Sequence, residues 1–495
     1  MQGKRDCLTD RLSSNCFVVI VLVAVFLLLF TRSITLTHNI KLHPDEHVFY
    51  QAADNMRLFL TGTVDIYTEV KEYPEGAIVL QFPFHIAAAL IRRYTDMEIS
   101  AQLCGRVASV FYFILGSIFG MIIEYQYFGK NTKSVCIYAS ALIFSIMHIE
   151  QSRYGTGDAI SFFLLIIILF LSLRAETNAK RKLPCWISAG FLAGLLCSVK
   201  YPLLFWGLIP VVIVWRTEKP SRRLYIVLIF SIATIIGFLF GSPKVISDPG
   251  YVIRVVKRET TEYVLNGNVT EVGGPLNHLL SLGLYSFLYA GIPLAPIFVI
   301  ATWKERSSCP VADETAYFLN KLLPSFIILF FMYNVFAKTL FMRTFYPFFF
   351  LLDLYAAEYL GKPFNGKKRA LISSLMILFI VRGIYYIGVL TEKMGPKKLD
   401  YLISQTAEDS WKKTTLLTPG YFVSFNQEQL VNPQKRDLLD SRYENEEELK
   451  LKKGEMVITG SIEFARGSGY FFPVKNVVAN QYCARWENFK SEVVN

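Results

Sequence analysis

Charge is scarce in this chain. Of its 495 residues, 18% are Asp, Glu, Lys or Arg, where soluble domains carry about 25%, so a conventional water-solvated globule is excluded. Cysteine is sparse and without pattern. The 8 cysteines (Cys7, Cys16, Cys104, Cys136, Cys185, Cys197, Cys309 and Cys483) show no CxxC and no Cys/His zinc spacing, which argues against a disulfide framework or a zinc ribbon. No internal repeat or low-complexity tract stands out. What the chain has instead is apolar surface: 53% of residues are hydrophobic and 15% aromatic.

The apolar residues come in runs near the ~20 residues that cross a bilayer, separated by short charged connectors. The net charge of +11 does not point to nucleic acid, because the basic residues sit beside apolar runs, as they do in cytoplasmic loops. Eleven spans are expected, at 16–34, 106–124, 134–149, 159–174, 186–200, 202–215, 224–241, 279–302, 322–337, 341–360 and 370–390. The first reads as a retained anchor, since no small-residue cleavage site follows it. This layout places the basic connectors inside (the N-terminus, 130–133, 174–182, 216–223, 304–306 and 362–369). The outside receives 35–105, 150–158, 242–278, 338–340 and everything after 391. The stretch 76–91 is apolar but short and holds Gln81, Pro83 and His85. Counting it as a span would put the later basic connectors outside, so it is expected to lie at the outer interface or dip into the membrane. The fold class is thus an all-α polytopic membrane protein: residues 1–390 form the transmembrane domain, with the first outer loop at 35–105. Residues 391–495, charged and with strand-like stretches at 456–462 and 470–474, form a small extracytoplasmic α/β or accessory domain.

The ionisable residues gather on the outer side. After the first span, His43-Pro44-Asp45-Glu46-His47 opens an amphipathic helix: Pro44 suits a first turn, Asp45 and Glu46 complement the helix dipole, and Val48, Phe49, Ala52, Met56 and Phe59 follow at helical spacing. Plain capping accounts for the two carboxylates about as well as chemistry does. The same loop ends in Glu69-Val70-Lys71-Glu72-Tyr73-Pro74-Glu75, and the next outer loop runs from Glu150 through Arg153 and Tyr154 to Asp158. A carboxylate at a membrane-embedded helix end is costly unless paired or functional; a cap or a salt bridge to Arg106 or Arg153 is the simpler account of Asp158. Lys200-Tyr201-Pro202, and Arg343 with Tyr346, bring further polar groups to outer span ends. For Lys200, snorkelling is the simpler account. Together they suit a reaction between a polar acceptor and an anionic lipid phosphate, in which a carboxylate takes a proton and Lys, Arg or a divalent cation steadies the leaving group. His43 and His47, four apart, are weak candidate metal ligands without a clear third.

The segment HPDEHVFYQAADNMRLFLTG around Asp45-Glu46 resembles the first-loop acidic motif of the GT-C glycosyltransferases. Tyr73-Pro74, Arg106-Val-Ala-Ser109, the 151–158 stretch, Gly190 to Gly194 leading to Lys200-Tyr201, the 247–267 loop and Arg343-Thr-Phe-Tyr346-Pro347 follow in order. Over roughly residues 16–360 they are similar to glycosyltransferase family 39 and its relatives, which include protein O-mannosyltransferases and the aminoarabinose transferase of lipid A. The resemblance implies an inverting transfer from a polyprenyl-phosphate-linked monosaccharide to a glycan, lipid or protein acceptor. It implies Asp45 as catalytic base with Glu46 beside it and Asp158 as a second acidic residue. Glu72, Tyr73, Arg106, Tyr154, Lys200, Tyr201, Arg343 and Tyr346 would meet substrate, Lys200 and Arg343 at the lipid phosphate. A divalent metal cation is the one cofactor implied, with His43, His47 and Glu72 as candidate ligands. Where the aminoarabinose branch has Glu-Lys-Pro-Pro, this chain has Glu72-Tyr73-Pro74-Glu75. The expected location is a bacterial plasma membrane, ahead of the endoplasmic reticulum. The rival class is a polytopic transporter or flippase of lipid-linked sugars, which would carry mid-membrane charges on paired broken helices.

Overall fold

A computed structural model describes residues 2–36, 75–95, 99–177, 182–261, 291–308, 323–336 and 346–391, four short strands, and pieces of one to four residues between them. A helix coincides with each of the eleven expected spans, all or in part. They are α1 (Gln2–Leu36), α3 (Ala101–Ile123), α4 (Thr132–Phe144) with α5 (Ile146–Arg153), α6 (Asp158–Thr177), α7 (Lys182–Val199), α8 (Leu204–Thr217), α9 (Pro220–Gly241), α12 (Ala295–Ser308), α13 (Leu323–Val335), α14 (Tyr346–Gly361) and α15 (Gly366–Thr391). The others are α2 (Gly76–Thr95), α10 (Lys244–Ser247) and α11 (Gly250–Glu259). Among the described residues five helices are long and apolar enough to cross a membrane: Asn15–Ser33, Ala101–Phe128, Asp158–Thr177, Lys182–Val199 and Pro220–Gly241. The pair α4–α5, bent by 59°, makes a sixth if it is one broken span. The protein is a multi-pass membrane protein.

Local signals set the helix ends. Ser100 caps α3 by accepting the Leu103 N–H at 3.2 Å, and Pro220 opens α9 where its missing N–H costs nothing. Large apolar side chains are turned outward along whole faces: Leu22, Phe26 and Phe30 on α1, Leu228, Ile232 and Ile235 on α9, Ile377, Val381 and Ile384 on α15. In water such patches would drive association; against lipid tails they are the natural boundary. The interior is aromatic, with Trp186, Trp206, Tyr138, Tyr355, Phe113 and Phe162 fully buried.

Without a hydrophobic drive between helices in lipid, close packing of small residues takes over. Helices α7 and α9 show it: a Cβ on Gly194 would stand 2.0 Å from the Thr234 carbonyl oxygen, and one on Gly237 2.0 Å from that of Phe191. Arg306 of α12 donates to both oxygens of Glu358 on α14, at 3.0 and 2.7 Å.

Short strands at Thr414–Leu417 (β1), Gln434–Arg436 (β2), Met456–Thr459 (β3) and Lys490–Val493 (β4) form one sheet in the order β2-β1-β3-β4. The first two pairings are parallel and β3–β4 is antiparallel. The strand expected at 456–462 is present as β3; the one at 470–474 lies outside the described residues.

Candidate active site

The break between α4 and α5 begins the site. Because α4 ends at Phe144, the carbonyls of Leu142 and Ile143 lack the helical partners that an unbroken span would supply. Arg32, fully buried at the end of α1, supplies them. Its Nη2 donates to Leu142 at 2.8 Å, Nη1 to Ile143 at 3.4 Å, and Nε to the Ser152 hydroxyl of α5 at 2.7 Å. A cation at a helix C-terminus is favoured by the dipole, so Arg32 both ends α4 and holds α5 against α1. Its guanidinium also lies 5.4 Å from the Phe113 ring centroid.

Helix α5 delivers two further features. His148, wholly buried, approaches Tyr346 Oη with Nδ1 at 3.2 Å and Asp353 Oδ2 with Nε2 at 3.1 Å. After Arg153 the chain leaves the helix for the turn 154–157, which ends on Asp158, the first residue of α6. There the Asp158 carboxylate accepts the Thr156 hydroxyl at 2.8 Å and pairs with the Lys200 ammonium. Asp158 is buried; the Lys200 side chain is 25% exposed and marks the open side of the pair.

Three separated segments meet here. A Cβ on Gly157 would be 2.9 Å from Val199 Cγ1 and 3.3 Å from Ala77 Cβ. The turn, the end of α7 and the start of α2 are therefore in van der Waals contact. Gln81 of α2 donates to the Gly155 carbonyl at 2.9 Å. Just before α2, the Glu75 carboxylate accepts the Lys244 N–H at 3.0 Å, joining the start of α2 to α10. Helix α3 passes behind the turn, with the Arg106 backbone nitrogen 3.4 Å from a Cβ placed on Gly155.

The structure thus brings together Asp158, Lys200, Tyr154 and the helix turn that carries Arg106. Asp158 pairs with Lys200, a partner the sequence account, which named Arg106 or Arg153, did not foresee; Arg153 donates to Tyr154 Oη at 2.6 Å. Lys200 does not merely snorkel, because its ammonium is turned to the carboxylate. Tyr201 opens a short 3-10 turn, its ring 6.4 Å from that of Phe238. Tyr346 is buried on His148, within electrostatic reach of Asp158 and Arg32. Asp45, Glu46, Glu72, Tyr73, Arg343, His43 and His47 lie outside the described residues. Among the described residues no group of three or more His, Cys, Asp and Glu stands where it could hold a metal ion; the candidate ligands His43, His47 and Glu72 are not among those residues.

Arg32, His148 and Asp353 were not among the expected site residues. Each sits inside an expected span, where an ionisable side chain is costly and signals a function or a partner; that signal was available in the sequence.

No protein-family model and no curated protein matches the sequence. Solved structures similar in architecture include two of one protein. ArnT from Cupriavidus metallidurans in the apo state aligns with a TM-score of 0.53 and 14% identity, covering 82% of this chain and 83% of that one. ArnT from the same organism bound to undecaprenyl phosphate aligns with a TM-score of 0.52 and 13% identity, covering 81% and 82%. At such identity the likeness concerns the fold alone: this chain shares the overall fold of ArnT.

Proposed function

We propose that the protein is a glycosyltransferase that moves a monosaccharide from a polyprenyl-phosphate donor to an acceptor at the extracytoplasmic face. The observation that carries the reading is the Asp158–Lys200 pair, held at the junction of three separated segments within a GT-C fold. The ArnT structure bound to undecaprenyl phosphate supports a lipid-phosphate donor.

The chemistry follows from the charges. Glycosyl transfer needs a base to accept the acceptor's proton and a cation to steady the departing phosphate. Asp45, by its resemblance to the first-loop acidic motif, is the base of an inverting displacement, with Glu46 beside it. Asp158 orients Lys200, whose partly exposed ammonium would meet the phosphate oxygens. Arg343 would add a second cation, and Arg106, Tyr154 and Tyr201 would line the donor's path. Residues 391–495, with their four-stranded sheet, form an accessory domain on the same face.

The test uses purified protein in lipid with a panel of radiolabelled polyprenyl-phosphate sugars and mixed glycan, lipid and peptide acceptors. Transfer that disappears in Asp45→Asn and falls in Asp158→Asn, with normal folding, is the expected result. Transbilayer movement of the intact donor without transfer would place the protein among the flippases instead.

A further inference from the structure

Gln151 occupies the last turn of α5 and is 1% exposed, yet neither its side-chain nitrogen nor its oxygen has a hydrogen-bond partner. The polar side chains on either side are occupied. His148 meets Tyr346 and Asp353, Ser152 accepts from Arg32, Arg153 donates to Tyr154, and Thr156 donates to Asp158.

A buried, unsatisfied carboxamide is among the costlier features a membrane protein can hold, because lipid offers no replacement partner. A leucine or methionine of similar volume would remove that cost. The Gln151 side chain must therefore meet a polar group that arrives with a ligand, or a buried water. A carboxamide has two donors and two acceptor sites, the complement of neighbouring hydroxyls on a sugar ring. It is uncharged, unlike the Asp158–Lys200 pair seven residues further along the same stretch, so it matches the neutral part of a lipid-phosphate sugar and not its phosphate.

We infer that Gln151 is a sugar-binding residue of the transfer site, hydrogen-bonding hydroxyls of the donor's monosaccharide. The assignment rests on the glycosyltransferase reading above and deepens it: Lys200 takes the phosphate, and Gln151 reads the ring. A site built to hydrogen-bond a hydroxyl discriminates strongly against an analogue without it, so Gln151 sets which sugar is accepted.

The experiment compares wild type with Gln151→Met and Gln151→Leu, the second guarding against a poor fit of the first. Two quantities are read: the thermal unfolding midpoint, and transfer from undecaprenyl-phosphate donors carrying mannose, glucose or arabinose. A further readout is binding of unsubstituted undecaprenyl phosphate. Both variants are expected to unfold at or above the wild-type temperature, to bind undecaprenyl phosphate as wild type does, and to lose transfer roughly ten-fold or more. The loss should be smaller for a donor lacking the hydroxyl that Gln151 contacts. Variants that transfer as well as wild type overturn the assignment and leave a buried water as the partner. Variants that unfold early and lose undecaprenyl phosphate binding together overturn it in favour of a structural role. A wild type with no transfer from any lipid-phosphate sugar removes the underlying reading, and this one with it.

Discussion

Asp353 Oδ2 lies 3.1 Å from His148 Nε2, and the other oxygen of the same carboxylate accepts the Ile292 N–H at 2.7 Å. One buried side chain thus ties the broken α4–α5 segment to α14 and to the turn before α12. Gly291 makes room for it: a Cβ there would be 2.2 Å from Asp353 Oδ1. Asp353→Ala leaves the imidazole and the Ile292 N–H without this partner, at about 1–3 kcal/mol for each group. Gly291→Ala drives the carboxylate out of its cradle and should destabilise in the same direction. Thermal unfolding in detergent micelles checks both; wild-type midpoints would mean that the network contributes nothing.

Lys200 neutralises a carboxylate that is otherwise buried. If the proposed function holds, Lys200→Met should lower transfer about 100-fold through loss of phosphate stabilisation, and it should destabilise the fold by removing the ammonium partner of the buried Asp158 carboxylate. Adding Asp158→Asn to Lys200→Met should restore much of the stability and none of the transfer, since the buried charge goes and the cation does not return. A double-mutant cycle on the unfolding midpoint measures the coupling; strictly additive effects would refute the pairing.

The packing of α7 on α9 leaves no space at Gly194. Gly194→Ala puts a methyl group where the Thr234 carbonyl oxygen would be 2.0 Å away, so the helices must part or slide, at about 1–3 kcal/mol for an overpacked core. Crosslinking between cysteines placed on the two helices reports the displacement. An unchanged crosslinking pattern and midpoint would show that the gap opens without cost.

Outside the bundle, the hydrogen bond from Arg254 holds the Asp248 carboxyl below its usual range at the start of α11. A lowered carboxyl pKa contributes above the unfolded value near ~4 and loses its effect as pH falls through the lower folded value. The pair is exposed, so the expected result is local. Protection of the backbone hydrogens in residues 250–259, taken relative to the intrinsic exchange rate at each pH, should fall below about pH 4 in wild type, while Asp248→Asn is weakly protected at every pH. Equal protection in the two proteins at neutral pH would contradict this.

Arg32 offers a test of how the broken span is held. Arg32→Leu leaves the Leu142 carbonyl without its buried donor and removes the bond to Ser152, at about 1–3 kcal/mol per group. Because α5 leads into the turn that carries Asp158, transfer should fall with stability. Arg32→Lys cannot reproduce the fork of donors and should recover only part of either.

The membrane-spanning architecture was readable before any coordinates. Apolar run length, charge spacing and Pro or Ser at helix starts are properties of neighbouring residues, and each of the eleven expected spans meets a helix. The acidic start of α6 was legible for the same reason, because Asp158 closes a polar loop ahead of an apolar run. Its partner was not. Lys200 stands 42 residues away and Asp353 lies 205 residues from His148, and neither pairing leaves a local trace. Which helix faces meet depends on small residues permitting close approach and on buried polar groups finding partners. Those choices are settled by the packing of all the helices at once. The chain's local chemistry dictates where helices form and that they lie in lipid; the assembled bundle alone decides that Arg32 ends α4, that Lys200 answers Asp158, and that the Gln151 carboxamide is buried with neither polar atom partnered.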